Sequence, residues 1–142
     1  IQQPYRAVFC DAVYLTVMRQ MMQALRSYLV ALKASSRLGR AYRLRNKGQK
    51  REALVVARDG LTILNDPIVK RQNPVEGSNL VGLTILVEQL SSELQQSGAS
   101  MNDLMDTLEL IKLLPADSST VTQDMKAWVP YLEAKTGNAP SV

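Results

Sequence analysis

Few side chains in this sequence could carry chemistry, and the pattern of what is missing decides most of what they can do. The chain contains no histidine. That removes the commonest general base and the commonest metal ligand together. A serine, threonine or cysteine nucleophile would lack its usual activating partner. The single cysteine, Cys10, lies in an apolar stretch with helical periodicity and reads as a buried, inert thiol. One cysteine forms no internal disulfide and no zinc cluster. This fits a cytoplasmic or other reducing compartment, with membrane association only through a partner. The phosphate-loop patterns GxxxxGK[ST] and GxGxxG are absent. Asp103, Asp106 and Glu109 recur every three residues and could hold a hard cation. A solvated helix face with favourable charge near its N-terminus is the preferred reading. With these parts missing, the expectation is a non-enzymatic chain with no metal and no cofactor.

Charge is the sharper signal. Residues 1–71 hold 14 Lys+Arg against 4 Asp+Glu, and residues 72–142 hold 3 against 9. The halves therefore carry +10 and −6, a dipolar arrangement that a partner can read. Seven cations crowd into the fifteen residues from Arg37 to Arg51. Arg19, Arg26, Lys33, Arg40 and Lys47 also recur every seven residues. The expected site is Lys33, Arg37, Arg40, Arg43 and Lys47, binding an acidic peptide, an acidic protein surface or a neighbouring subunit. Nucleic acid or an anionic membrane at the same patch is the alternative. Only Tyr42 is interleaved among these charges, which makes base stacking thin. A third possibility is a structural subunit whose Met-rich first helix packs into a larger assembly.

The elements that must position these residues read as helices. Tyr14, Leu15, Met18, Met21, Met22, Leu25, Tyr28, Leu29 and Leu32 fall at i, i+3, i+4, i+7 spacing, which predicts one apolar helical face over five turns. The expected first helix covers 5–33, with a break where Ala34-Ser35-Ser36 dilutes the pattern. No Pro or Gly forces that break, so one helix through to Lys47 stays open. A hairpin is expected over 35–66. Its second helix should turn Ala53, Leu54, Ala57, Leu61 and Leu64 inward, and Gly48 should mark the turn. Residues 67–78, with Pro67, Pro74 and Gly77, read as a linker.

A second hairpin is expected over 79–114. Leu80, Leu83, Val87, Leu90 and Leu94 form the stripe of its first helix, and Leu104, Met105, Leu108 and Ile111 that of its second. Ser100 with Asp103, and Thr120 with Gln123, resemble helix-capping pairs. A C-terminal helix over 120–136 should split or kink at Val129, because Pro130 sits inside its pattern. No segment alternates with period two. The fold class expected is all-α, stacked antiparallel helical hairpins of about five to six helices in a single domain over 1–142.

The apolar stretch from Ala7 to Leu32 is broken by Asp11, Arg19 and Arg26, so no membrane span is expected there. Ile1-Gln2-Gln3-Pro4 lacks the basic start of a secretory signal, and the missing initiator Met leaves removal of upstream residues open.

The stretch from Leu38 to Pro67 resembles a tetratricopeptide repeat (TPR). Leu38-Gly39 and Tyr42 match the opening signature in register, Ala53 takes the small position, and Pro67 closes the unit. Gly48 falls two residues late, Ala57 stands where an aromatic is usual, and Gly60 replaces a second alanine. The resemblance implies paired helices that approach closely through small residues, in a protein-binding module. It also implies a role for Lys33 and Arg37, since Lys and Arg four apart hold a peptide carboxylate in some TPR domains. Here the accompanying asparagines have no counterpart, and Arg40 stands where one would be.

Overall fold

The computed structural model of the chain describes residues 4–66, 77–115 and 119–137, with side chains from residue 11 onward in the first helix and from residue 79 onward in the third. The fold is all-α, with no strand among the described residues. Six helices follow one another: α1 Pro4–Asn46, α2 Lys50–Leu64, α3 Gly77–Glu93, α4 Met101–Lys112, α5 Thr120–Lys126 and α6 Val129–Thr136.

The first correction concerns α1. It is one continuous helix of 43 residues, not a helix over 5–33 followed by a break. At 1.5 Å per residue it is about 65 Å long. Within Ala34-Ser35-Ser36, Ala34 is buried, while Ser35 and Ser36 are exposed. Ala34 and Ala41 are fully buried, in one cluster with Ala53 and Ala57 of α2. Two helices that pack through alanine and glycine need no large side chain at the seam. Gly60 marks the tightest point: a Cβ there would lie 2.9 Å from Leu83 of α3 and 3.2 Å from the Arg37 Cβ.

Gly48 ends α1 as expected. Its φ of 81° is the left-handed conformation glycine adopts without strain. Its N–H donates to Arg45 O, and the next N–H, of Gln49, reaches back to Leu44 O at 2.9 Å. This pairing satisfies carbonyls that the helix end would otherwise leave open. The turn folds α2 back along α1.

α2 also packs on α3, α3 on α4, and α4 on α6. Two apolar clusters result. One joins α1, α2 and α3 around Leu54, Leu61, Leu83, Leu86 and Leu90. The other joins α3, α4 and α6 around Val81, Leu104, Leu108, Ile111 and Leu132. α3 contributes to both and is apolar nearly all round, as a central helix must be. Its sequence stripe of Leu80, Leu83, Val87, Leu90 and Leu94 therefore captured only one of its two packed faces, and missed Val81 and Leu86. Ser100 caps α4 by accepting from Asp103 N at 3.2 Å. The cap of α5 lies one residue earlier than expected: Ser119, not Thr120, accepts from Thr122 N. Pro130 sits in the first turn of α6, where the C-terminal helix splits, and Gly137 at φ 74° ends it. The linker over 67–78 lies outside the described residues up to residue 76.

Candidate docking surface

The structure settles which way the apolar face of α1 points. All nine residues of that face, from Tyr14 to Leu32, are exposed; Met22 is 65% and Leu25 57% accessible. Within that span only Ser27 and Val30 are buried. Helix geometry explains the outward turn. Leu25 and Leu32 precede the buried Ala34 and Ala41 by nine residues, which is about two and a half turns, so they point the opposite way. α2 takes the alanine side, and the leucine and methionine side is left outward. α2 also ends early. Arg26 of α1 bonds Asp66, just past the end of α2, at 2.7 Å. Every residue from 11 to 20 is exposed. The first turns of α1 thus project beyond the body.

The exposed stripe has a shallow depression lined by Leu15, Met18 and Met22, with Arg19 and Arg26 at its border. Arg19, Arg26 and Lys33 run along one edge of the stripe and are all exposed. Beyond Leu32 the outward side becomes basic. Lys33, Arg40, Arg43 and Lys47 are exposed, and none makes an ion pair among the described residues. Arg37 differs: its Nε donates to Asp59 Oδ2 of α2 at 2.7 Å. A partner carboxylate at Arg37 would have to compete with Asp59. Of the five expected contact residues, four share the outward side and Arg37 is turned toward α2. Arg45 is withdrawn from the patch, bonded to Gln89 of α3 at 3.0 Å and stacked over the Tyr42 ring.

The acidic half is built differently. Glu88 of α3 is buried, and its only signal in the residue pattern is a carboxylate inside an apolar stripe. It accepts from Ala99 N at 2.7 Å and from the Tyr131 hydroxyl at 2.5 Å. Gly98 passes so close that a Cβ there would overlap the Glu88 carboxylate. Burial, and then the Glu88 hydrogen bond and charge, push Tyr131 up to about 12. The open cleft beside this node is about 530 Å³ and includes Lys50, Glu93, Trp128 and Tyr131. Its charges answer one another, with Lys50 and Glu93 3.0 Å apart. Glu88 is thus a structural tie between α3, the turn before α4, and α6.

Asp103, Asp106 and Glu109 do not form a joint site. Asp103 is buried at the α4 cap, and Glu109 is exposed. No three Cys, Asp or Glu side chains gather to hold a metal ion among the described residues. The Cys10 side chain lies outside them. No helix of the described residues is long and apolar enough to cross a membrane. Comparison with known families, with curated proteins and with solved structures finds no match for this chain.

Proposed function

We propose that this chain is a non-catalytic interaction module that docks a protein partner along the outward side of α1. The observation that supports it is the exposed stripe from Tyr14 to Leu32, continued by the cations Lys33, Arg40, Arg43 and Lys47, which make no ion pair among the described residues. Contiguous apolar surface of this extent is rare on a monomer and marks an interaction site. The bordering charge calls for a partner that is apolar where it meets the stripe and acidic where it meets the cations. The resemblance of Leu38–Pro67 to a TPR unit supports the same class of function, because such units serve binding. Within that reading Arg37 supports the hairpin through Asp59, and the partner contacts fall to the other four cations.

The test is affinity capture from the native host with the wild-type chain and with Arg40→Glu/Arg43→Glu. Both positions are exposed, so the double variant keeps its fold and should lose the captured partner. Unchanged capture rejects the reading. Binding to duplex, RNA or acidic vesicles that falls steeply with salt would point instead to a general polyanion binder.

A further inference from the structure

The stripe on α1 has a finer order than amphipathicity requires. Leu15, Met18, Met22, Leu25, Leu29 and Leu32 follow at alternating steps of three and four residues. That is the spacing with which one helix presents a seam to another. Tyr14, Met21 and Tyr28 repeat every seven residues along one flank, and Arg19, Arg26 and Lys33 along the other. Three positions in every seven are thus apolar and outward. That width suits a helix packed between partner helices better than a narrow two-stranded seam.

We infer that residues 14–32 of α1 dock between helices of an acidic helical protein, whose carboxylates line up against Arg19, Arg26 and Lys33. This rests on the interaction reading and names its partner class. Charge selects the occupant. Asp11 and Glu52 bracket a stretch with no carboxylate at all, in which every charged side chain is Lys or Arg. A second copy of α1 would bring only more positive charge to the contact. A bilayer surface would answer the charge, but a fluid headgroup layer has no register to match a seven-residue row. Here the cations hold one edge of the stripe, while the opposite edge carries Tyr14, Met21 and Tyr28 and no charge. An ordered helix can read that asymmetry. Docking would cover the Leu15–Met22 depression and pair Arg19 at its border, while a partner carboxylate at Arg26 would compete with Asp66.

The test uses the full chain and three probes: a heptad peptide with leucine seams and glutamate flanks, its lysine-flanked counterpart, and phosphatidylcholine–phosphatidylserine vesicles. The chain should bind the glutamate peptide and not the lysine peptide, with affinity falling roughly tenfold or more as salt screens the contact. Met22→Glu/Leu29→Glu should abolish binding without changing the unfolding temperature. Arg19→Glu/Arg26→Glu/Lys33→Glu should reverse the preference to the lysine peptide. Arg19→Glu alone, on a turn whose side chains are all exposed, keeps the charge test available and should weaken glutamate-peptide binding. No binding of the glutamate peptide, or no reversal in the triple variant, overturns the inference. Vesicles that outcompete the peptide overturn it in favour of lipid, and concentration-dependent dimerisation of the chain overturns it in favour of a second copy. Failure of the peptide while capture stays sensitive to Arg40 and Arg43 defeats this inference alone; loss of both defeats the interaction reading too.

Discussion

α1 and α4 carry the same apolar period and use it in opposite ways. In α4, Leu104, Leu108 and Ile111 are buried against α3 and α6, and the charged positions Glu109 and Lys112 look outward. In α1 the leucines and methionines from Leu15 to Leu32 look outward, and the buried positions are Ser27, Val30, Ala34 and Ala41. Periodicity establishes that a helix has an apolar face. It does not say whether the chain's own core or another molecule will cover that face. What separates the two helices is side-chain size at the opposite side. α4 has no row of small residues to offer a close neighbour, whereas α1 has Ala34 and Ala41 to receive α2.

The contrast can be broken most decisively with matched truncations. Leu86→Ala, in the core shared by α1, α2 and α3, should cost about 2–5 kcal/mol in denaturant unfolding. Leu25→Ala, on the stripe, should stay within about 0.5 kcal/mol. A large loss at Leu25 would mean that the stripe is covered within the isolated chain.

A smaller effect is expected at the acidic node. Glu88→Ala leaves the Ala99 N–H and the Tyr131 hydroxyl without their partner, and should cost about 1–3 kcal/mol. Gly98→Ala should destabilise in the same direction, because its methyl group would displace the Glu88 carboxylate. Neither should weaken binding through α1. Reduced capture by Glu88→Ala at a temperature where it stays folded would tie the two halves together.

The smallest effect is on alkaline stability. Tyr131 holds its proton more tightly folded than unfolded, so its contribution is fully present below pH 10. It is lost as pH rises through about 12. Wild-type chain and Tyr131→Phe should therefore lose stability along different curves across that window. The late phenolate absorbance near pH 12 should vanish in the variant. Parallel curves would show that the Glu88–Tyr131 bond does not persist in solution.

Much of the architecture was legible in the residues themselves. Ala53, Leu54, Ala57, Leu61 and Leu64 announced the inner face of α2, Gly48 the turn, Ser100 the α4 cap, and Pro130 the split between α5 and α6. Each is a local rule acting on a local pattern. The unreadable features depend on what lies beside an element. Ala34-Ser35-Ser36 resembled a fading helix because the small size that suits Ala34 to close approach also weakens a hydrophobic pattern, and the two serines beside it are exposed. The outward turn of the α1 stripe followed from where α2 settles, which no periodicity within α1 records. Glu88 was hidden because its partners, Ala99 and Tyr131, lie 11 and 43 residues away. At the docking surface, the cation row was visible from its seven-residue repeat, but the engagement of Arg37 by Asp59 required the hairpin to be closed.

The unbroken course of α1 also has a mechanical consequence. The stripe and the hairpin seam lie on one helix with no proline between Pro4 and Asn46. Whatever grips residues 14–32 therefore holds a strut whose far end is splinted by α2. From Leu25 to Asn46 the strut is about 30 Å long. A tilt at the gripped end swings the acidic half through an arc of that radius, and no intervening joint absorbs it. Fluorophores placed on a bound helix and on Lys135 would report that orientation as one narrow distance distribution.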